Sequence, residues 1–171
     1  FFERGSDRAY ITGVLLGGDG KPVEARLFTV AFDQVNPANS TILGSLELPS
    51  KLVRGLRVRN ARVLLGMGEA GIGIVDSFLP NKTYLVESLA ANPSLPLLDV
   101  ATQDATAGDA GVLVGVGGEF NVSGNRLVTA EANGSGGFYV FRQDKSGLRQ
   151  LSSLDLPGTR VSLQGRFAYV A

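Results

Sequence analysis

Short runs of β-branched, aliphatic and aromatic residues recur along the whole chain, and Gly, Pro, Asn or Asp bounds each run. Helical periodicity, with apolar residues at positions i, i+3, i+4 and i+7, is hard to sustain over about eleven residues anywhere. Short apolar runs between turn-forming residues are typical of β-strands, so the pattern predicts an all-β protein. The predicted strands are residues 9–12, 25–32, 41–47, 56–59, 63–65, 72–76, 84–88, 112–116, 120–122, 127–130, 138–142, 148–154, 160–163 and 167–170.

The predicted strands follow one recurring order: an apolar pentad, a glycine-rich corner, a second β-prone run and a third strand that closes near Leu-Pro. One copy of this unit has too little apolar surface to bury by itself, so the copies are expected to stack. A unit of about forty residues with four short strands has the size of a β-propeller blade. The units cover residues 8–49, 52–91, 112–157 and, as the start of a further unit, 159–171. Segments 14–24 and 92–111 exceed the bare unit and are predicted to be loop insertions.

Two predicted inner strands are apolar at consecutive positions, residues 63–65 and 138–141. A sheet with one solvated face alternates apolar and polar residues, whereas a sheet covered on both faces does not. We therefore expect neighbouring sheets on both sides of these strands. The chain stops within an apolar strand at Ala171. Because an unpaired edge of this kind invites pairing, we expect either a piece of a longer protein or completion by another molecule.

The composition argues against several classes of function. Lys and Arg number 16 and Asp and Glu also number 16, so the bulk charge indicates no nucleic-acid partner. His and Cys are both absent, which removes the usual zinc and copper ligands, cysteine nucleophiles, disulfides and the commonest general base. The longest apolar runs fall far short of the ~20 residues of a membrane-spanning helix. A binding protein is therefore favoured over an enzyme, and no cofactor is predicted.

Gly66, Gly68 and Gly71 form the motif G-x-G-x-x-G after an apolar strand, and Glu87 follows Gly66 by 21 residues. In dinucleotide-binding domains such glycines let the backbone approach a pyrophosphate at a helix N-terminus, and the acid binds a ribose hydroxyl. The residues after Gly71 are β-branched and include another glycine, and Pro80 follows, so the required helix is not predicted. A turn between strands is the favoured interpretation, and dinucleotide binding is the alternative.

Charged residues at corners and on one strand are candidate ligand contacts. If the repeats align as described, Asp19, Glu69 and Glu131 lie at or near equivalent turns on one rim. Alternation along a strand places Arg57 and Arg59 on one face, where they are candidates for binding an anion. The alternatives are exposed acids on ordinary turns and arginines that keep an edge strand soluble.

Three aspartates in a polar segment are candidate calcium ligands. Asp99, Asp104 and Asp109 lie among Ala, Thr and Gly, and carboxylates on a flexible loop can hold calcium through their oxygens. Their spacing fits no defined calcium loop. A solvated polar insertion is the favoured interpretation, so no metal site is predicted.

Four Asn-x-Ser/Thr triplets begin at Asn39, Asn81, Asn121 and Asn133, which is more than chance supplies in a chain with eight asparagines. Such triplets are acceptors of N-linked sugars in exported proteins. They indicate a secreted or cell-surface glycoprotein, with the periplasm as a further compartment. A turn-rich composition also raises this count and is the alternative.

Segments 125–130, 136–141, 148–157 and 166–171 share one repeat pattern, and 165–171 and 72–76 match it best. These segments resemble the repeats of lactonase-like and LVIVD-type β-propellers, which read Gly-Arg-aromatic-Ala-Tyr-Val-Ala, a small-residue turn, and a Val-Phe or Ile-Val-Asp strand. The resemblance implies the second to fourth strands of one blade, two complete blades and the first two strands of the next. Because known propellers need at least about four blades, it implies a partial propeller of a longer chain.

Three hypotheses for the function follow. The leading one is a non-enzymatic, exported β-propeller segment that acts as a binding or assembly scaffold at the cell surface or in an extracellular complex. Its partner would be another protein or neighbouring blades. A lactonase-like hydrolase is the alternative that the resemblance implies. A filament in which residues 167–171 pair with the next subunit is the third.

Overall fold

The computed structural model describes residues 7–59, 61–91, 96–102, 111–118, 120–123, 126–129, 136–144, 146–156, 158–164 and 167–171. Regular structure in these residues is β-strand, with two short 3₁₀ helices at Pro37–Asn39 and Pro80–Lys82. The predicted all-β class is confirmed. The strands are β1 Arg8–Leu16, β2 Pro22–Ala31, β3 Thr41–Leu48, β4 Gly55–Arg59, β5 Arg62–Gly66, β6 Ile72–Asp76, β7 Tyr84–Leu89, β8 Leu97–Thr102, β9 Gly111–Gly118, β10 Phe120–Ser123, β11 Arg126–Thr129, β12 Gly136–Asp144, β13 Gly147–Leu154, β14 Val161–Gln164 and β15 Phe167–Val170.

The described strands form antiparallel sheets in chain order. Sheet 1 has the order β1-β2-β3, sheet 2 the order β4-β5-β6-β7, sheet 3 the order β8-β9-β12-β13, and sheet 4 the order β14-β15. Strands β10 and β11, which lie between β9 and β12 in the sequence, pair with each other as a separate two-stranded sheet. Sheets 1 to 4 hold three, four, four and two strands.

Two segments predicted to be loops contain strands. Within 14–24 the ladder of sheet 1 continues as far as the pair Leu16 and Pro22, so only residues 17–21 form the turn. Within 92–111, Leu97–Thr102 forms β8, the first strand of sheet 3. Asp99 interrupts the apolar run of β8, and Asp is depleted in strands unless a partner supports it. That partner comes from distant parts of the chain, so the local pattern does not reveal this strand.

The alignment of the third repeat is also wrong. The shared pattern makes residues 125–130 the strand that precedes 136–141 in one unit, but the strand beside β12 in sheet 3 is β9, which also pairs with β8. Strand β11 pairs with β10. Both β9 and β11 contain a short run of Val and Leu. Apolar periodicity alone does not tell which of two such runs joins the sheet.

The sheets share their apolar faces in chain order. The 1–2 cluster, between sheets 1 and 2, contains Tyr10, Ala25, Leu27, Leu48, Val53, Val63, Leu65, Met67 and Val75. The 2–3 cluster contains Leu64, Ile72, Ile74, Ala91, Leu97, Val100, Tyr139, Phe141 and Leu148. The 3–4 cluster contains Ala101, Val114 and Val161, with Phe138, Val140, Leu163 and Val170 packed against it.

Sheets 2 and 3 are thus covered on both faces. In β5, Val63 and Leu65 face sheet 1 while Leu64 faces sheet 3. In β12, Tyr139 belongs to the 2–3 cluster and Phe138 to the 3–4 cluster. The expectation of apolar neighbours on both sides of residues 63–65 and 138–141 is confirmed, because successive side chains of a strand point to opposite faces.

Contacts between sheets run along corresponding strands. At one edge of the stack β4 contacts β8, and β8 contacts β14, so the first strands of sheets 2, 3 and 4 are neighbours. At the other edge β3 contacts β7, and β7 contacts β13, so the last strands of sheets 1, 2 and 3 are neighbours. First strands meet first strands and last strands meet last strands, and in addition β8 contacts β5 and β14 contacts β9.

A buried serine links sheets 1 and 2. The Ser77 hydroxyl lies 2.7 Å from the carbonyl oxygen of Ala61, to which it donates, and 3.0 Å from the hydroxyl of Tyr10. The Arg8 guanidinium donates to the backbone carbonyls of Ser77 at 3.2 Å and Phe78 at 3.3 Å. The polar groups of Ser77, Tyr10 and Arg8 are therefore paired, as burial requires.

Candidate functional site at the first strands

A cavity of about 420 Å³ opens where sheets 2, 3 and 4 meet. Arg57 from β4 and Arg54 just before β4 line one side of it. Asp99 from β8 lines the second side, and Thr159 and Arg160, just before β14, line the third. Three sheets contribute to the cavity, so it exists only because the sheets stack.

Asp99 is the buried polar residue of the cavity wall, with a side chain 4% exposed. Its Oδ2 accepts a hydrogen bond of 3.0 Å from the backbone N–H of Val161 and one of 3.3 Å from Nη2 of Arg57. A buried carboxylate is costly unless it is paired and hydrogen-bonded. Donors from sheets 2 and 4 provide this pairing, so Asp99 joins three sheets at one point.

Gly55, the first residue of β4, allows β4 to approach β8. A Cβ at this position would lie 2.6 Å from Cα of Asp99 and 2.7 Å from its Oδ1. Any larger residue would push β8 away and separate Asp99 from Arg57. The glycine therefore fixes the distance between the first strands of sheets 2 and 3.

Arg57 is held by acceptors on several sides. Besides Asp99, its Nη1 donates to the carbonyl of Leu56 at 2.8 Å, and its Nη2 lies 3.5 Å from the carbonyl of Val161. Its side chain is 33% exposed. The guanidinium is therefore oriented by the protein before any ligand arrives, and part of its surface still reaches the cavity.

Arg54 and Arg160 are exposed at the mouth of the cavity. Within the described part of the chain, neither guanidinium takes part in a side-chain hydrogen bond or ion pair. The lining holds three arginines and one aspartate, a net charge of 3 − 1 = +2. A guanidinium presents a planar fork of donors that fits carboxylate and phosphate oxygens. The arrangement is suited to binding an oxyanion.

The predicted ligand contacts are distributed over different places. Arg57 lines the cavity described above, and Arg59 is the last residue of β4. Glu69 is exposed in the turn between β5 and β6, beside a second cavity of about 430 Å³ that Lys51 also lines.

Asp19 lies in the turn between β1 and β2, where its Oδ2 is 3.7 Å from Nζ of Lys21. Counted from the last strand of each sheet, the turn of Asp19 precedes β2 and the turn of Glu69 precedes β6, the last strand but one in each case. Glu131 lies outside the described residues. Neither Asp19 nor Glu69 lines the cavity of Arg57.

The three calcium candidates do not form a described site. Asp99 lies in a strand and not in a polar loop, and its Oδ2 is bound by Arg57 and Val161. Asp104 and Asp109 lie outside the described residues. Across the ranges that the structure covers, no group of three or more Asp, Glu, His or Cys side chains is arranged to hold a metal.

The glycine motif 66–71 is a turn between two strands. Gly66, the last residue of β5, pairs with Ile72, the first residue of β6. A β-strand thus stands where dinucleotide binding requires a helix, so this alternative is rejected. Glu87, its proposed ribose ligand, is bound to the backbone N–H of Leu148 in sheet 3.

The glycines of this turn have structural roles. Gly68 and Gly71 have φ angles of 52° and 79°, which L-residues with a side chain rarely adopt. Gly68 also exchanges two backbone hydrogen bonds with Leu97, of 3.0 and 2.9 Å, which attach the turn to the first strand of sheet 3. The side chain of Met67 is fully buried in the 1–2 cluster.

Two of the four glycosylation candidates lie on matching exposed 3₁₀ helices. Asn39 lies in the helix before the last strand of sheet 1, and Asn81 lies in the helix before the last strand of sheet 2. Asn121 lies in β10, and Asn133 is outside the described residues. The loop of Asn39 is ordered by Asp33, whose pKa is lowered by the backbone N–H groups of Asn36 and Val35.

Arg160 and the role of Asp99 were not predicted from the sequence. Arg160 is 103 residues from Arg57 in the chain, and only the stacking of sheet 4 on sheet 3 brings them together. Aligning the hairpins β4–β5 and β14–β15 on their registers places Thr159 at the position of Arg54 and Arg160 at the position of Gly55, so the alignment does not single out Arg160.

Comparisons with protein-family models, with curated proteins and with solved structures found no match to this chain. Among the helices in the described ranges, none has the length and apolar character needed to cross a membrane. Any functional conclusion therefore rests on the arrangement of the sheets and on the cavity between them.

Proposed function

We propose that this chain forms consecutive blades of a β-propeller and acts as a non-enzymatic binding scaffold outside the cell. The observation that carries the proposal is the order of contacts between sheets: β4, β8 and β14 follow one edge, and β3, β7 and β13 follow the other. Sheets that fan around an axis keep their first strands together in this way. A two-layer sandwich instead packs two sheets against each other and needs no such series.

The outer faces of the stack support the proposal. Ile11 and Leu15 of sheet 1 are 50% and 61% exposed, on the face turned away from sheet 2. Phe167 and Tyr169 of sheet 4 are 63% and 56% exposed, on the face turned away from sheet 3. Exposed apolar faces of this kind mark surfaces that another element covers. Further blades or a partner protein would cover them.

Two carboxylates that lie between sheets, Asp99 and Glu87, are occupied by hydrogen bonds from neighbouring sheets. Asp99 is bound to Arg57 and Val161, and Glu87 is bound to Leu148. A general acid or base must reach the substrate proton with its own oxygen. These side chains serve to join sheets, which favours a scaffold over the lactonase-like alternative.

The architecture is tested by experimental structure determination of the natural protein. We expect a ring in which sheets 1 to 4 are successive blades, with β4, β8 and β14 around the axis. A closed two-layer sandwich, or sheets whose first strands lie on alternate sides, would overturn the proposal.

The non-enzymatic function is tested with a sugar δ-lactone in a pH-stat assay. We expect the folded chain to hydrolyse the lactone no faster than buffer does. Hydrolysis that disappears in Arg57→Gln or in Glu69→Gln, with folding retained in that variant, would establish the hydrolase instead.

The location is tested by fractionation of the source cells. Recovery of the protein from the medium, the cell surface or the periplasm is expected, and recovery from the cytosol alone would contradict export. Conversion of Asn39 or Asn81 to Asp by a glycan-releasing amidase would show directly that sugars are attached.

A further inference from the structure

We infer that the cavity between β4, β8 and β14 binds a small molecule with two oxyanion groups, and that Arg54 and Arg160 are its principal contacts. This inference deepens the proposed binding function and rests on it. It concerns the residues that line the cavity of about 420 Å³ at the first strands.

The cavity has an excess of positive charge. Three arginines outnumber one aspartate in the lining, while the whole chain has equal numbers of basic and acidic residues. The positive charge is therefore concentrated locally. A concave site lined by one sign of charge attracts ligands of the opposite sign.

Asp99, the acid in the lining, is already paired within the protein. Its carboxylate accepts donors from Arg57 and Val161, and its Oδ1 packs against the backbone of Gly55. The aspartate is almost fully buried, and its charge is compensated by Arg57. Its role is to orient Arg57, which is a positioning role.

The other two arginines of the lining are exposed and available to a ligand. Arg54 and Arg160 approach from sheets 2 and 4, are exposed, and have no side-chain partner among the described residues. Two forks that different sheets contribute to one cavity suit two oxyanion groups of one ligand. Thr159 adds a hydroxyl at the same wall.

Carboxylates and phosphates share this chemistry, so the test uses one probe of each kind. Citrate and inorganic pyrophosphate are titrated separately into the full chain by isothermal calorimetry at low ionic strength. We expect saturable one-site binding of at least one probe that weakens as salt is raised. The probe that binds tells whether the natural ligand is a polycarboxylate or a phosphate compound.

The variants are Arg54→Gln and Arg160→Gln, with Arg62→Gln as the matched control. Arg62 is exposed on the same β4–β5 hairpin but at its opposite end, and its loss changes the net charge equally. Each cavity variant is expected to weaken binding about tenfold or more, as loss of a charge-assisted hydrogen bond implies. The control is expected to bind within about twofold of the parent chain, since screening limits distant charges.

Failure to bind either probe by the folded chain, or an equal loss in Arg62→Gln, would overturn the inference. Circular dichroism and the thermal midpoint of each variant establish that it is folded. An absence of binding leaves the propeller arrangement and the lactone result unaffected. Conversely, lactone hydrolysis with intact anion binding would overturn the proposed function alone.

Discussion

Oε1 of Glu87 accepts a hydrogen bond of 2.8 Å from the backbone N–H of Leu148, and this bond joins the last strand of sheet 2 to the last strand of sheet 3. Gly147 precedes Leu148 with a φ of 107°, and a Cβ there would lie 2.9 Å from the same carboxylate oxygen. At the opposite edge Asp99 joins sheet 3 to Val161 of sheet 4. One carboxylate at each edge therefore fixes sheet 3 against a neighbour.

Replacement of Glu87 tests the link at the last strands. Glu87→Ala is expected to lower the free energy of unfolding by about 1–2 kcal/mol, because the N–H of Leu148 loses a charged acceptor at a half-buried position. Urea denaturation measures the change. Glu69→Ala, at an exposed turn, is the control and is expected to stay within about 0.5 kcal/mol of the parent. Equal losses in the two variants would show that Glu87 does not link the sheets.

The turn after β5 depends on a glycine. Gly71 has a φ of 79°, and a Cβ there would overlap the carbonyl oxygen of Leu89. Gly71→Ala is expected to destabilise the fold by about 2 kcal/mol or more, from left-handed backbone strain and the steric clash together. The thermal midpoint and urea midpoint report the loss. Gly18→Ala, where an added Cβ meets nothing within 4 Å, is the matched control and should be nearly neutral.

A buried hydroxyl between sheets 1 and 2 has no hydrogen-bond partner in the described structure. It belongs to Thr29, which is 1% exposed. Thr29→Val keeps the shape and removes the unsatisfied group, so we expect a gain of about 1 kcal/mol in unfolding free energy. Thr41→Val, at an exposed position of β3, is the comparison and should change stability little. A loss of stability in Thr29→Val would show that the hydroxyl is hydrogen-bonded in the folded protein.

Stability in alkaline solution depends on Tyr139. Burial, followed by the negative charge of Asp155, raises the pKa of Tyr139 above 10.0. The unfolded state then loses this proton at lower pH than the folded state does. The contribution to stability is complete below pH 10.0 and is lost as pH rises towards the folded pKa.

Urea denaturation between about pH 8 and 11 measures this dependence. Tyr139→Phe should show a shallower decline of unfolding free energy over the alkaline part of the range. Tyr84→Phe, at an exposed position, should decline as the parent does. An unchanged slope in Tyr139→Phe would contradict the assigned pKa shift.

Local patterns predicted the strands, because apolar runs bounded by turn residues are recorded in the sequence itself. The run 63–65 even indicated coverage on both faces, since Leu64 breaks the alternation of a half-exposed strand. The local pattern does not predict strand β8, because the partners that support Asp99 in a strand lie in β4 and β14. Of the cavity's arginines, the local pattern named only Arg57, which shares a strand with Arg59, whereas Arg160 comes from another sheet.

The stacking of sheets in chain order is the central claim, and nuclear Overhauser effects between side chains of different sheets test it most directly. We expect cross-peaks from the Tyr10 ring to methyl groups of Val63 or Val75, and from the Phe141 ring to those of Ile72 or Ile74. Sheet 2 lies between Tyr10 and Phe141, so these two rings should show no cross-peak. A direct cross-peak between them, with the other pairs silent, would contradict the stacked arrangement.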